Sequence, residues 1–172
     1  KTAYDIRVTF QETIIMTNDY FKGDAMITIE AAESKNIPQV LELWWKLMRY
    51  HVPFEPMFEG RPADAKLFEQ RFSDRMEAEE LKAFMAMEND EIIGCTWYVE
   101  QGHPPVYTKA RYGYIMGMMV KPGHRRSGVG TMMLEKIYKW AESEGLDRLE
   151  VQIVPGNEAG YSFWKKQGYD AY

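Results

Sequence analysis

The chain has 172 residues, 45% of them apolar and 14% aromatic, and its formal net charge is −5 at pH 7. It is long enough for one domain with a substantial core, and too rich in core-forming residues for a disordered protein. The negative charge argues against nucleic acid as a partner. No apolar run approaches the roughly 20 residues of a membrane span and no signal peptide is visible, so no membrane partner is expected.

The chain contains one cysteine and three histidines. A single cysteine cannot form an internal disulfide, which favours a reducing, cytoplasmic setting. Cys95 lies in an apolar run, and we predict that it packs in the core rather than acting as a nucleophile. None of these residues has the spacing of metal ligands, so no metal site is expected.

Apolar periodicity predicts the order β, β, α, α, β, β, β, α, β, α, which indicates an α/β domain with a mixed sheet flanked by helices. We expect residues 1–25 to form an N-terminal extension with one strand, and residues 26–172 to form the main domain. The predicted strands cover residues 4–10, 26–31, 83–87, 91–99, 112–120 and 148–154. The predicted helices cover residues 34–50, 64–80 and 129–144, with a last helix between Asn157 and Gly168.

Several local signals refine these elements. Ser34 is expected to cap the first helix, and Asn157 the last. In the second helix the inward residues are expected to be Leu67, Phe68, Phe72 and Met76. Interior glycines at positions 113 and 117 predict a bulge, or a close backbone approach, in the strand over 112–120.

The stretch over residues 50–62 contains three prolines, which exclude a regular helix or a central strand. Two interpretations stay open. The stretch is either the wall of a site for an amine-bearing acceptor, or a proline-stiffened loop whose aromatic side chains pack on the core. The residues concerned are Tyr50, His51, Phe54, Glu55, Phe58 and Glu59.

Residues 120–130, VKPGHRRSGVG, join a predicted strand to a predicted helix. The first N–H groups of a helix have no partner within it, so a basic, glycine-containing loop at this position favours an anion such as phosphate. The sequence is neither a Walker P-loop nor a full dinucleotide fingerprint, since it lacks Gly-Lys-Ser/Thr and a third glycine. A charged surface turn is the simpler alternative.

The segment RRSGVG resembles the Arg/Gln-x-x-Gly-x-Gly/Ala signature of the GNAT N-acetyltransferase superfamily, and Val120-x-Pro122 resembles the end of that family's fourth strand. Residues 157–169 are similar to its second block, an Asn followed by a short helix and a closing Gly-Phe/Tyr. Two blocks in this order are more specific than either alone. The resemblance covers about residues 26–169.

The resemblance implies a sheet that splays between the strands at 112–120 and 148–154, opening a cleft for acetyl-CoA. It implies that backbone groups of Met118 and Val120 pair with the pantetheine arm. The remaining residues that it places at acetyl-CoA are Arg125, Arg126, Ser127, Gly128, Val129, Gly130, Thr131 and Asn157.

The chain departs from the family pattern in its sheet. The family continues past the closing Gly-Phe/Tyr with two more strands, whereas this sequence shows a shortened C-terminus and an extra strand at 4–10. We expect the extra strand to fill the vacant sheet position, since an open edge favours association. It does so either within one chain or by exchange in a homodimer.

The chain also departs from the family in its chemistry. Seven residues after Asn157, where many members carry a Tyr proposed to protonate the leaving thiolate, this chain has Trp164, and an indole is not a usable acid. Tyr161, on nearly the same helix face, is a weak substitute. The general base is not identified by the sequence; its candidates are Glu55, Glu59, Glu100, His103 and Glu150.

The function that the resemblance implies is acetyl transfer from acetyl-CoA to a primary amine by direct attack. The acceptor is a small molecule or a peptide. A non-catalytic acyl-CoA-binding or sensing module is the alternative, because Trp164 replaces the expected acid. A nucleotide binder that uses the same loop is a third hypothesis.

Overall fold

A computed structural model describes residues 4–9, 21–22, 25–106 and 111–171. The strands of these residues are β1 (Tyr4–Thr9), β2 (Phe21–Lys22), β3 (Ala25–Ala31), β4 (Lys82–Glu88), β5 (Glu91–Gly102), β6 (Arg111–Val120), β7 (Arg148–Ile153) and β8 (Asp170–Ala171). The helices are α1 (Ile37–His51), α2 (Ala65–Glu77), α3 (Val129–Ser143) and α4 (Glu158–Lys166).

The strands form one sheet in the order β2-β3-β4-β5-β6-β7-β1-β8. Among its described pairs, β6 and β7 are parallel and the others are antiparallel. The predicted mixed α/β sheet is therefore confirmed, and the two-residue strands β2 and β8 are additions to it. The strand β5 continues to Gly102, beyond the predicted end at residue 99.

Two local predictions are wrong. Ser34 does not cap α1, because it lies in a 3-10 turn, Ser34–Asn36, that precedes the helix. The N–H of Glu33 donates to Asn36 Oδ1 at 3.0 Å instead. In α2, Phe72 is buried as expected, but Leu67 is 53% exposed. The inward stripe of α2 is therefore narrower than its sequence indicates.

The helices cover both faces of the sheet. On one face α3 and α4 pack over a cluster that includes Leu134 and Leu149. On the other face α1 and α2 pack over a cluster that includes Val40 and Phe72. Cys95 lies in this second cluster and is fully buried, and burial raises the pKa of its thiol. The prediction that Cys95 is a packing residue is therefore confirmed.

Strand β6 carries the predicted bulge. Trp97 of β5 pairs with Gly117, and the next residue of β5 pairs with Ile115, so Met116 has no cross-strand partner on β5. A Cβ at Gly117 would lie 2.4 Å from a ring atom of Trp97, so the indole occupies the space of a side chain there. Gly113 is closed in the same way, by Leu149 at 2.4 Å. Both glycines are thus explained by close packing beside the bulge.

Strand β1 lies beside β7 in the same chain. Its antiparallel register runs from Tyr4↔Ile153 to Thr9↔Arg148, and β8 pairs with its other edge. Residue 10, the last of the predicted strand, lies outside the described residues. The N-terminal strand therefore occupies the sheet position next to β7, as expected if it pairs within its own chain rather than by exchange in a homodimer. No helix in the described part of the chain is long and apolar enough to cross a membrane.

Candidate functional site

Strands β6 and β7 separate towards their carboxyl ends. Their pairing begins at Gly113↔Leu149 and ends at Ile115↔Val151. Strand β6 continues to Val120, and β7 continues for two residues beyond the pairing. Ligands of open α/β sheets bind outside the carboxyl ends of such strands. We call the space between the diverging ends of β6 and β7 the gap.

The hydrogen-bond alternation of β5 and β6 orients the backbone beside the gap. Lys121 directly follows β6, and its N–H donates to the carbonyl of Ile93 in β5 at 2.8 Å. Alternate residues of an antiparallel pair point their backbone groups the other way. Val120 and Met118, one and three residues before Lys121, therefore direct N–H and C=O away from β5. The carbonyl of Val120 accepts a hydrogen bond from Arg125 Nε at 3.0 Å.

The loop that follows β6 exposes a helix N-terminus. Arg126 and Gly128 have positive φ angles of 61° and 87°, and α3 begins directly after Gly128. Because its N-cap is a glycine, α3 has no N-cap side chain to accept hydrogen bonds from its first turn. The N–H groups of Val129, Gly130 and Thr131 are the first of the helix. They form the kind of N-terminus that binds an anion.

This loop is tied to the β4–β5 hairpin. His124 Nε2 lies 2.9 Å from Glu88 Oε2, and Lys121 Nζ lies 2.6 Å from Glu91 Oε1. Ser127 Oγ donates to the carbonyl of His124 at 2.5 Å. Exposed ion pairs stabilise little by themselves, but the His124–Glu88 contact is partly buried. These contacts hold the loop in place from one side of the gap.

The two arginines of the loop differ in their surroundings. Both side chains are exposed. The guanidinium of Arg125 lies 5.8 Å from the ring centroid of Tyr50, at the end of α1, in addition to its bond to the end of β6. Arg125 therefore links the loop to α1. Arg126 lies at a backbone position in the left-handed region, with a φ of 61°.

Gly130 and Thr131 join α3 to α4. A Cβ at Gly130 would lie 3.1 Å from two ring atoms of Phe163. Thr131 Oγ1 accepts a hydrogen bond from Gln167 Nε2 at 3.3 Å. The side chain of Val129 is buried in the core. These positions therefore offer backbone N–H groups rather than side chains at the start of α3, and the glycine at position 130 is explained by helix packing.

The turn after β7 ends at Asn157, which caps α4 as predicted. Its Oδ1 accepts the N–H of Gly160 at 3.0 Å. Two residues at the end of α1 also contact its amide: His51 Nε2 lies 3.1 Å from Nδ2, and the Tyr50 hydroxyl lies 3.4 Å from Oδ1. His51 is only 9% exposed, and burial lowers the pKa of its imidazole.

The end of α1 spans the gap. Tyr50 contacts Asn157 after β7 and Arg125 after β6. Phe54 packs on Gly156, where a Cβ would lie 3.1 Å from Phe54 Cδ1. Tyr50 and Phe54 are partly exposed at the gap. Of the two interpretations of residues 50–62, this placement favours the wall of an acceptor site.

Tyr161 and Trp164 have different environments on α4. Tyr161 is 37% exposed, and its N–H donates to the carbonyl of Asn157 at 2.9 Å. Trp164 is 6% exposed and packs edge-on against Phe163 and Tyr169. Trp164 is therefore a core residue, and its indole does not replace the tyrosine that many family members carry at this position. Tyr161 lies on the same helix, one turn after the cap.

The candidate bases are distributed around the sheet. Glu100 is held by two hydrogen bonds from Arg111, at 2.6 and 2.8 Å, and this contact lowers the pKa of its carboxyl. Glu55 accepts the N–H of Met57 at 3.3 Å, within the aromatic stretch. Glu59 is exposed. Glu100 pairs in register with Gly113, where the β6–β7 pairing begins, but its carboxyl is bound by Arg111.

Glu150 lies at the closed end of the gap. It pairs in register with Tyr114 of β6 and is 6% exposed. Its Oε1 lies 3.1 Å from Arg148 Nε and 3.9 Å from His103 Nε2. The ring of Tyr112 stacks on His103, with centroids 4.6 Å apart. Glu150 is therefore the candidate base nearest the point where the two strands part.

The chain matches the model of the acetyltransferase (GNAT) family over residues 37–169. It belongs to that family. The matched region contains α1, the loop after β6 and the turn that ends at Asn157, so the site described above lies within it. The resemblance expected from the two sequence blocks is confirmed.

Known proteins similar to this chain have related names. An uncharacterized N-acetyltransferase of Bacillus subtilis, YobR, is 31% identical over 58 residues, which are 34% of this chain and 24% of that protein. A probable N-acetyltransferase of Arabidopsis thaliana, HLS1, is 27% identical over 110 residues, which are 54% of this chain and 27% of that protein. The chain thus spans about a quarter of the length of the curated relatives it matches.

Solved structures share the fold. A predicted acetyltransferase of Clostridium acetobutylicum, crystallised with acetyl-CoA, has a TM-score of 0.69 and 23% identity, covering 84% of this chain and 90% of that chain. An aminoglycoside 6'-N-acetyltransferase of Acinetobacter haemolyticus has a TM-score of 0.66 and 17% identity, covering 83% and 90% of the two chains. At these identities the likeness shows the fold alone.

Some features of the site have no signal in the sequence. The contact between His51 and Asn157 joins residues 106 positions apart. Arg148 is the first residue of a strand that is predicted from its apolar residues, and its pairing with Glu150 follows from the i, i+2 spacing only once the strand is placed. The available clue to Glu150 was its place on the polar face of this strand, where it alternates with apolar residues.

Proposed function

We propose that this chain is an acetyl-CoA-dependent N-acetyltransferase that acts on a primary amine by direct attack. The proposal rests on one observation. The gap between β6 and β7 ends at an uncapped, glycine-initiated helix N-terminus. Acetyl-CoA has an extended arm that ends in a pyrophosphate, so its site needs two features. These are unpaired strand backbone along the arm and N–H donors for the pyrophosphate.

The residues around the gap fit acetyl-CoA. The backbone groups of Met118 and Val120 are available to an extended arm, apart from the carbonyl that Arg125 contacts. The α3 N-terminus and the exposed Arg126 suit the pyrophosphate. When bound, acetyl-CoA supplies the thioester. In the transfer, the amine nitrogen bonds to the carbonyl carbon, the carbon–sulfur bond breaks, and the proton lost by the amine balances the thiolate that leaves.

Glu150 and Tyr161 are the side chains that we propose for proton handling. Glu150 is buried at the closed end of the gap, where a carboxylate can accept a proton from an amine directly or through water. Tyr161 is exposed beside Asn157, and its phenol can donate to a thiolate. The role of Tyr161 is the weaker of the two, since Trp164, and not Tyr161, stands at the position of the family's tyrosine.

The acceptor is proposed to be an amine on a small molecule or a peptide. The fold is shared with enzymes named for aminoglycoside acetylation. The net charge of −5 favours a cationic partner. The aromatic residues Tyr50 and Phe54 at the gap favour an acceptor with an apolar portion. The setting proposed is the cytoplasm, because the sole cysteine is a buried thiol.

Calorimetric titration with acetyl-CoA tests this function. We expect micromolar binding by the intact chain and loss of at least about 100-fold in affinity in Gly128→Glu, because a carboxylate would occupy the anion position. Gly145→Glu is the matched control. Gly145 follows the other end of α3, has a positive φ of 68°, and has open space around it, so its variant carries the same strain and charge.

Four results separate the hypotheses. If both variants bind like the intact chain, or if the intact chain does not bind, the site is wrong. Binding with thiol release in the presence of an amine panel supports the transferase. Binding without thiol release from any amine favours the sensing module. Competition by ATP with equal affinity would favour a nucleotide binder instead.

A further inference from the structure

The amide of Asn157 has a defined orientation. Its Oδ1 accepts the backbone N–H of Gly160 at 3.0 Å, so the oxygen faces the helix. Its Nδ2 then faces His51 Nε2, at 3.1 Å. A Cβ at Gly160 would lie 2.6 Å from Nδ2, so only a glycine leaves room for the amide in this position. Two contacts and one glycine thus fix a single side chain.

This orientation determines where the His51 proton lies. An amide nitrogen only donates, so Nε2 must accept and carries no proton. The imidazole is then neutral, with its proton on Nδ1. Nδ1 is buried and has no hydrogen-bond partner among the described residues. A buried unpaired donor destabilises a fold, and a phenylalanine at this position would avoid that cost. The imidazole is therefore better explained by its acceptor, Nε2, than by packing.

Nε2 is the only imidazole atom of His51 with a described polar contact. The rings of Tyr50 and Phe58 lie 5.6 and 5.4 Å from the imidazole, centroid to centroid. The Tyr50 hydroxyl lies 3.4 Å from Asn157 Oδ1, and the guanidinium of Arg125 lies 5.8 Å from the ring centroid of Tyr50. No carboxylate among the described residues is in contact with the imidazole that would stabilise a protonated form.

We propose that His51 is a positioning residue for acetyl-CoA binding. It holds the Asn157 amide in the orientation in which acetyl-CoA, bound in the gap, would contact it. This rests on the proposed function. His51 belongs to α1, on the acceptor side of the gap, whereas Asn157 follows β7. The pair therefore connects the wall of the acceptor site to the acetyl-CoA site across the gap.

The test compares two substitutions of His51. Glutamine places an amide oxygen near the position of Nε2 and keeps an acceptor, while phenylalanine keeps the ring without one. We expect His51→Phe to weaken acetyl-CoA binding about fivefold, which is the worth of one neutral hydrogen bond, and His51→Gln to stay within about twofold of the intact chain. In turnover, the KM for acetyl-CoA should rise in His51→Phe while kcat stays within twofold.

Two further variants keep the test independent of the folding of His51→Phe. Gly160→Ala displaces the Asn157 amide without changing His51, and we expect the same loss of affinity. In an Asn157→Ala background, His51→Phe should have no further effect on affinity. Unchanged binding by His51→Phe and Gly160→Ala, or an undiminished effect of His51→Phe in that background, would overturn the proposal. Absence of binding by the intact chain would instead overturn the proposed function.

Discussion

The two loops that flank the gap are built from different kinds of interaction. Inside the loop after β6, side chains bond to nearby backbone: Arg125 bonds to Val120, five residues earlier, and Ser127 bonds to His124, three residues earlier. Contacts with the β4–β5 hairpin then hold the loop in place. The turn after β7 is organised from a distance. Its Asn157 contacts Tyr50 and His51, which lie 107 and 106 residues earlier in the chain.

The difference shows how one candidate site can combine local and long-range contacts. A helix N-terminus binds an anion through backbone groups, so local glycine and turn chemistry suffice to form it. A side-chain amide must be oriented by partners, because it rotates freely otherwise. We therefore expect substitutions in α1 to affect the turn after β7. They should leave the loop after β6 unchanged except through the Arg125–Tyr50 contact.

The largest expected effect concerns the chemistry on the β7 side. Glu150→Gln keeps the shape and the acceptor oxygen next to Arg148 but removes the base. We expect kcat with an amine acceptor to fall about 100-fold, the scale of general-base catalysis, while acetyl-CoA affinity changes less than twofold. Steady-state rates and calorimetry measure the two quantities.

Glu100→Gln is the control for this variant, since Glu100 is bound by Arg111 at the other end of β5 and β6. Its kcat should stay within twofold of the intact chain. Equal rates in Glu150→Gln and the intact chain would assign the base elsewhere and would limit the role of the β7 side to binding.

An intermediate effect is expected from the strand that supports β7. Removal of residues 1–20 exposes the edge of β7 along the whole β1 register, from Ile153 to Arg148. An uncovered edge loses its ladder hydrogen bonds and favours association. We expect the melting temperature to fall by more than about 5 °C, and the solution mass to shift towards dimers.

Thermal melts and light scattering on the intact and truncated chains measure these quantities. If the intact chain is already a dimer that dissociates on truncation, β1 is exchanged between copies. An unchanged melting temperature together with an unchanged mass would show that the strand has no supporting role, and would restrict the stabilising contacts of the β7 side to α1.

The smallest expected effect is the pH dependence of the contact across the gap. Burial lowers the pKa of His51 in the folded chain, below its ordinary value of about 6.5. Between these two values the unfolded chain binds the proton and the folded chain does not. The contribution of His51 to stability is therefore complete above about pH 6.5, and it is lost as the pH falls through the lowered pKa.

Melting temperatures at pH 7.5 and 5.5 check this sign. We expect the intact chain to lose a few degrees more than His51→Gln over this interval, since a glutamine does not titrate. His103 and His124 are present in both proteins and their effects cancel in the comparison. A larger loss in His51→Gln would mean that the imidazole is charged in the folded chain, and would contradict the hydrogen-bond assignment at Asn157.

Most of the fold was predictable because its signals are local. The hairpin between β4 and β5 follows from Asn89 and Asp90, which adopt the positive φ angles of 49° and 63° expected for such residues in a tight turn. The bulge in β6 was indicated by Gly113 and Gly117, and Gly145 ends α3 with a φ of 68°. Errors occurred where tertiary contacts decide, as at Leu67, which has helical spacing but no partner surface.

The sequence by itself determined the glycine-containing turn at the start of α3 and the capping of α4, since both depend on backbone geometry and on residues within one turn. Only the tertiary structure decided that Tyr50 and His51 contact Asn157, that β1 covers β7, and that Glu150 is the carboxylate at the closed end of the gap. The reason is physical. Periodicity specifies which face of an element is buried, but it carries no information about which distant residue packs against that face.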